Sequence, residues 1–584
     1  MPARGPRFKR QVLIMNRICL GFFVLWLLMP LSAHANLVEL ENRRLGTSEW
    51  QLGKLATNGE IEGYASLTSV NRGAKIRLFV NTQDPSYRMD VYRMGWYEGA
   101  GGRLISGGIF RKGIRQPKPV TDPKTGLIEC NWKDPYVLKI SDSQDATNWV
   151  SGIYLVKLTA LSSGAQSYII FVVREDDRRS DYLFQSSVTT YQAYNRWGGK
   201  SLYALNSNEK PARKVSFNRP YAQSPNPVAA HGLGAGDFTA WENNMVRWLE
   251  REAYDVTYST NIDTHANRQL FKGHKAWLSV GHDEYWTWEM RANVEQAREQ
   301  GVGLAFFSAN VCYWQIRLEP SPITKGRNRT IVSYKDDAFT ADPYALDDDP
   351  RNNHLVTTRW REPPVSRPEE SLIGVMLEGN PVDADIVITN PIHWSMSETG
   401  LRAGTHLPGL LGYEADRMFG SAPAGTEILA ESPFILGGTQ HVANMTSYST
   451  AQGVEVFAIG SIQWSWALDD FNVPGLRASR LNDAALQITR NVLARLSGDV
   501  FPIAKIRIPL SARRHTSLQF SAEESFDADG RIVQYRWHFG NGQIELGESV
   551  VHVFETTGRF EVSVTVRDDR GAASSTMAVV EITE

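Results

Sequence analysis

The chain has 584 residues, 62 basic against 64 acidic side chains, a formal net charge of −2 and 42% hydrophobic residues. That balance offers no basic surface for nucleic acid, and this length predicts about three or four folded units rather than one core. Three cysteines in the whole chain exclude a disulfide scaffold.

Residues 1–35 read as a secretory signal peptide. Arg4, Arg7, Lys9, Arg10 and Arg17 precede the uncharged run from Ile18 to Leu31, and Ala33-His34-Ala35 supplies a cleavage site after Ala35. The run is 14 residues long, short of the roughly 20 needed to cross a bilayer. The expectation is an exported protein, periplasmic or extracellular, with no membrane span after cleavage. Five bases and no acid would leave, so 57 bases would face 64 acids at a formal charge of −7. Cys130 and Cys312 would remain, either paired with each other or buried as thiols.

From residue 36 to 178 short β-type runs are punctuated by Gly, Asn and Pro. The alternation of Ile76, Leu78 and Val80 predicts half-buried strands, and the region reads as a β-sandwich. From 179 to 498 strands alternate with amphipathic helices. Strands are predicted at Tyr182 to Val188, Asp255 to Tyr258, Lys275 to Val280, Val302 to Ser308 and Val454 to Ile459. Helices are predicted around Phe238, Trp241, Met245 and Leu249, from Trp286 to Gln300, and from Ala484 to Leu496. This grammar predicts an α/β domain with a mostly parallel sheet of the flavodoxin or glutamine-amidotransferase kind, flanked by two β-sandwiches. The stretch from Asp336 to Ala451, rich in Pro, Gly, Asp and Asn, reads as insertions over that sheet.

After a linker, residues 504–584 return to β. Ser525-Phe-Asp-Ala-Asp-Gly530, Tyr535-Arg-Trp-His-Phe-Gly-Asn-Gly542, His552-Val-Phe554 and Val564-Thr-Val-Arg-Asp568 resemble a PKD repeat, an immunoglobulin-like sandwich. Asn541 stands where such repeats often carry Asp, a change that a tight turn accepts. The resemblance implies a spacer or binding module with glycan or cell-surface contact.

In open α/β sheets ligands bind beyond the carboxyl ends of the strands. Four predicted strand ends carry reactive side chains: Thr190 to Tyr203, Gly281-His-Asp-Glu-Tyr-Trp286, Ser308-Ala-Asn-Val-Cys-Tyr-Trp314 and Gly460-Ser-Ile-Gln-Trp-Ser-Trp466. Each alone suits packing, with Tyr and Trp half-buried and Gly281 at a turn. Several titratable groups converging on one rim is instead the composition of a site.

Gly63-Tyr-Ala-Ser66, Val91-Tyr-Arg-Met-Gly-Trp-Tyr97, Ser151-Gly-Ile-Tyr154, Thr190-Tyr-Gln-Ala-Tyr-Asn195, Gly281-His-Asp-Glu284, Ser308-Ala-Asn310 and Gly412-Tyr-Glu414 resemble the large (beta) subunit of N,N-dimethylformamidase and its relatives. The resemblance implies a mononuclear iron, Fe3+, held by Tyr194, Tyr203 and Glu284, with Tyr191 as the alternative to Tyr194. It places His282, Asn310 and Glu414 around the metal as catalytic groups. The chemistry is coherent, because a tyrosine that ionises near pH 10 needs a strongly polarising cation to bind as phenolate. The implied reaction is hydrolysis of a C–N bond in a small-molecule or polymer-borne amide.

Two rival readings use the same residues. Cys312 beside His282 would give a nucleophile and base, a Cys-dependent amidase; Cys312 sits in no exposing elbow, however, and reads as a small buried hydrophobe. The aromatic runs Tyr285-Trp-Thr-Trp288 and Tyr313-Trp314 would instead stack on sugar rings in a non-catalytic carbohydrate-binding protein.

Overall fold

A computed structural model describes residues 36–142, 148–207, 209–223, 233–347, 349–473, 475 and 477–584. The expected signal peptide lies outside the described residues.

Two sheets follow residue 36. One has three strands, ordered Ile61–Ala65, Lys75–Thr82, Tyr136–Lys139, and the other has five, ordered Ser69–Asn71, Gln166–Arg174, Gly152–Ala160, Ser86–Met94, Gly102–Lys112. In Lys75–Thr82 burial alternates along the strand, with Ile76, Leu78 and Val80 inside and Lys75 and Arg77 outside, as a period of two demands when one face meets a core. These side chains join Met89, Val91, Tyr154, Val156 and Phe171 in one apolar cluster.

The next sheet carries the candidate site. Its strands are β1 (Tyr182–Ser186), β2 (Val256–Thr260), β3 (Ala276–His282), β4 (Gly303–Ala309), β7 (Glu427–Leu436), β8 (Thr439–Ser449) and β9 (Glu455–Ala458), ordered β2-β1-β3-β4-β9-β8-β7. The hairpin of β5 (Met376–Val387) and β6 (His406–Arg417) lies outside this sheet. The first five strands in the order are parallel, and β8 and β7 close the edge antiparallel. Every residue of β3 and β4 is buried, which explains why their runs are nearly all apolar, broken only by Ser279, Ser308 and the terminal His282.

The expected α/β class is overturned. The chain is mostly β with 17% helix, the sheets are mixed and several are small, and there is no clear flavodoxin-like parallel core. The reason lies between Asp336 and Ala451. That stretch was expected to be insertions over the sheet, yet β5 to β8 are strands of 10 to 12 residues, and two of them extend the sheet in the antiparallel sense. Turn-forming residues between and within these strands hid the period-two pattern, and β-bulges interrupt it in β5, β6 and β7.

The helices have local causes. In α3 (Trp288–Glu299) Thr287 caps the start by accepting from the Met290 amide at 3.1 Å. In α4 (Asp483–Ser497) Asn482 accepts from Ala485 at 3.0 Å and Gly498 ends the helix at φ +71. The predicted helix around Phe238 begins as a π-helical turn, Phe238–Glu242, before α2 (Asn243–Arg251). Glu250 of α2 pairs with Arg93 of the Ser86–Met94 strand at 2.7 and 2.8 Å, both side chains fully buried. Removing either partner of such a pair costs about 3–5 kcal/mol, so it clamps the central sheet to the one before it.

At the C-terminus a five-stranded sheet, which includes Gly558–Asp568 and Ala573–Thr583, faces the pair Ser517–Ser521 and Ser549–Val553. Phe520, Trp537, Phe539, Phe554 and Val564 fill the space between. At the turn after Phe539, the Asn541 Oδ1 accepts from the Gln543 amide at 3.0 Å.

Candidate active site

Three parallel strands end on one rim. Beyond β1, Ser187 leads into α1 (Val188–Tyr194), which presents Tyr191 and Tyr194 in different directions. Tyr191 is 2% exposed, and its hydroxyl lies 3.1 Å from Ser186 Oγ rather than on Glu284. Tyr194 Oη donates to Glu284 Oε2 at 2.8 Å. Tyr203, in the loop after α1, has its Oη 2.7 Å from Tyr194 Oη and 2.9 and 3.0 Å from the two Glu284 oxygens. The two phenol rings stack at 4.2 Å.

His282 ends β3 and Glu284 follows it. Gly281 precedes them at φ +72, where an added Cβ would meet Trp241 Cβ at 2.7 Å, so glycine is required both for conformation and for space. His282 Nε2 lies 3.3 Å from Glu284 Oε2 and 3.0 Å from Glu414 Oε2, ion-pair distances without hydrogen-bond alignment. Glu414 reaches the site from β6, and its other oxygen accepts from Asn380 Nδ2 at 2.9 Å. Asn310 follows β4 in the left-handed region at φ +51, its amide donating to Asp416 Oδ1 at 2.9 Å. The buried Asn310 Oδ1 has no hydrogen-bond partner among the described residues. All six residues named from the sequence therefore belong to or adjoin this rim, and Tyr191 stands apart from it.

The sequence reading missed three contributors, Asn380, Asp416 and Lys335, and gave a fourth, Tyr285, no role at the metal. Tyr285 Oη donates to Tyr203 Oη at 2.5 Å, Asn380 holds Glu414, and Asp416 holds the Asn310 backbone. Lys335 places its ammonium 3.2 Å from the centre of the Tyr203 ring and 5.2 Å from that of Tyr285. Asp416 was accessible in principle, since it shares a strand face with Glu414 two residues away. Lys335 opens a single 3-10 turn, Lys335–Asp337, too short to show a periodic pattern, so only its neighbours in space reveal it.

Burial governs the electrostatics. It pushes the hydroxyls of Tyr194, Tyr203 and Tyr285 well above the ordinary tyrosine range, and the Glu284 charge pushes them further. Burial alone would lower His282, but the Glu414 and Glu284 carboxylates beside it hold it well above its usual value. Burial would raise Glu284, yet His282, Lys335 and the Tyr194 hydroxyl keep it below. Lys335 is pushed down to about 7 by burial, against the opposing pull of Glu284 and Asp336.

Among the described residues no group of three His, Cys, Asp or Glu side chains is placed to hold a metal; the convergent donors are phenolic. Oxygens sharing one small hard cation at about 2.0–2.1 Å in octahedral geometry sit about 2.8–3.0 Å apart. The spacings of 2.7 to 3.0 Å among Tyr194, Tyr203 and Glu284 are those of the hydrogen bonds that join them and also lie near that edge length, so the donor chemistry, two phenols and a carboxylate, is compatible with a hard ion such as ferric iron.

The rival residues have other surroundings. Cys130 and Cys312 are free and buried; Cys312 packs in an apolar cluster with Trp286 and Trp360, and burial pushes its thiol well up. Tyr285 and Trp286 are 0% exposed and Trp314 is 6% exposed, so these three rings are closed to a sugar, whereas Trp288 and Tyr313 of the same runs are half-buried.

A family model described as "N,N-dimethylformamidase beta subunit-like, C-terminal" matches residues 88–478, and a PKD domain model matches 499–583. Among curated proteins the chain is 35% identical over 81 residues to collagenase ColQ1 of Bacillus cereus (strain Q1), covering 14% of this chain and 8% of that protein. It is 34% identical over 62 residues to pre-pro-metalloprotease PrtV of Vibrio cholerae serotype O1 (strain M66-2), covering 11% and 7%. The chain thus spans less than a tenth of the length of these relatives. Among solved structures, the PKD1 domain of the Vibrio cholerae metalloprotease PrtV is 27% identical with a TM-score of 0.14, covering 15% of this chain and 100% of that one. The PKD1 domain of Vibrio anguillarum Epp is 31% identical at 0.13, covering 15% and 99%. With more than half of its length matched by one family model, the chain belongs to the N,N-dimethylformamidase beta subunit-like family and carries a C-terminal PKD domain.

Proposed function

We propose that this is an exported amidohydrolase that cleaves a C–N amide bond at a mononuclear iron held by Tyr194, Tyr203 and Glu284. The observation that carries the reading is the oxygen triangle, with spacings from 2.7 to 3.0 Å, formed by two phenols and a carboxylate that share no secondary-structure element. Bound there, ferric iron would supply Lewis acidity toward the amide carbonyl. The phenols stay protonated without a cation, because burial and the Glu284 charge both oppose their ionisation.

The surrounding residues have complementary work. Glu414 Oε2 and His282 Nε2 form the proton-handling pair: one accepts a proton as water attacks, and the imidazolium returns one to the departing amine. Asn380 fixes the orientation of Glu414 for that exchange. Asn310, aimed by the anchoring of its backbone on Asp416, orients the substrate amide. Tyr285 and Lys335 pack around Tyr203 and exclude water from it. The substrate is a small-molecule or polymer-borne amide, and the PKD domain supports contact with a polymer or glycan outside the cytoplasm. The basic, apolar and small-residue pattern of residues 1–35 supports export.

Elemental analysis of the purified mature protein tests this. About one iron per chain is expected, with a visible phenolate-to-iron band, both lost in Tyr203→Phe and Glu284→Ala and both kept in Tyr191→Phe. Iron absent from the native protein, or retained unchanged in both site variants, overturns the assignment.

A further inference from the structure

A cavity of about 240 Å³ lies apart from the candidate active site, between the first two sheets and the segment that follows α1. Its walls come from Ile61–Ala65 and Gln166–Arg174 on one side, and from residues 196–198 and 221–223 on the other. Its volume is below the roughly 300 Å³ at which sites for drug-sized ligands begin, so an occupant would be small.

The lining is polar and charged in both senses. Glu62 is fixed on one wall, its Oε2 accepting from Trp197 Nε1 at 2.6 Å and its Oε1 from Asn81 Nδ2 at 3.0 Å. Arg196 lines the same space, and among the described residues its guanidinium has no hydrogen bond and no ion pair. Two further polar atoms of the lining have no partner among the described residues: Ser167 Oγ, in a residue 3% exposed, and Gln223 Oε1, whose amide nitrogen already donates to the Gln166 carbonyl at 3.0 Å. A buried polar group left without a hydrogen bond is costly, and a ligand that supplies one relieves that cost. A carboxylate and a guanidinium that share one cavity without meeting leave between them a gap that a ligand with both charges fills.

We propose that this cavity is a binding site for a small zwitterion of the free amino-acid class, its ammonium on Glu62 and its carboxylate on Arg196. Ser167 and Gln223 supply the remaining hydrogen bonds, and the Trp197 indole, held by Glu62, forms the apolar wall. A simple anion would meet the Glu62 carboxylate, and a simple cation the Arg196 guanidinium. The site needs no iron and stands independently of the amidase reading. Its position bears on that reading all the same, because Arg196 and Trp197 belong to the segment joining Tyr194 to Tyr203.

Calorimetric titration of the mature full-length protein with L-alanine and L-glutamine tests the site, with acetate, ethylamine and glycerol as controls at equal ionic strength. One saturable site is expected for the amino acids and none for the controls. Arg196→Met should weaken binding about tenfold or more and leave the unfolding midpoint and iron content unchanged, since among the described residues the Arg196 guanidinium holds no other side chain in place. Glu62→Gln should weaken it in the same direction. No saturable binding of either amino acid, equal binding of glycerol, or full affinity in Arg196→Met would each overturn the proposal.

Discussion

Glu242 offers the sharpest test of how burial acts in this fold. It ends the π-helical turn, is 1% exposed, and accepts from the Ser187 amide and Ser186 Oγ, each at 2.9 Å. Burial nonetheless pushes its carboxyl up to about 8, those donors and Tyr191 notwithstanding. An unfolded chain would titrate it at the ordinary glutamate value, and each tenfold difference in proton affinity is about 1.4 kcal/mol. The folded state holds this proton more tightly than the unfolded one. Its stabilising contribution is therefore complete below the ordinary glutamate range and is lost as pH rises through about 8, in total on the order of 5 kcal/mol. Glu242→Gln keeps an acceptor for Ser187 and can donate to either hydroxyl, but it does not titrate. Urea unfolding followed by tryptophan fluorescence, in half-unit steps from pH 4.5 to 8.5, should show the native protein losing stability relative to the variant across that window. Two curves that stay parallel would refute the reasoning.

Lys335→Met removes the ammonium over the Tyr203 ring and should lower iron retention about 10- to 100-fold, the usual effect of losing a partner behind a metal ligand; chelator competition followed by elemental analysis reads it, and unchanged retention would remove Lys335 from the site. Gly281→Ala forces a Cβ to within 2.7 Å of Trp241 in a left-handed backbone. It should cost about 1–3 kcal/mol, visible as a lower unfolding midpoint, and an unaltered midpoint contradicts the steric account. Cys130 and Cys312 lie in separate apolar clusters; a thiol reagent should count none in the native mature protein and two after denaturation, whereas none after denaturation would mean a disulfide.

Parts of this arrangement were legible from the sequence for identifiable reasons. His282 ends, and Glu284 follows, a strand whose seven residues are all buried, so a sudden run of titratable side chains marks the strand's carboxyl end. Asn310 follows β4 in the same way. The PKD motifs are local, and their turn residues and aromatic core positions sit within one short segment. Tyr191 and Tyr194 remained alternatives, because both lie on one short helix and only the direction of each ring separates them.

By itself the sequence determined the buried strands, the rim at their carboxyl ends and the immunoglobulin-like module, because burial periodicity and turn chemistry act over a few residues. Only the tertiary structure decided the class of the central sheet, since a strand between residues 376 and 449 cannot be told from a polar insertion until its partner is known. The resemblance had grouped Glu414 with His282, but the structure alone set their contact at 3.0 Å and brought Lys335 to Tyr203. Those contacts span more than a hundred residues of chain, and no local pattern encodes a distance that packing sets.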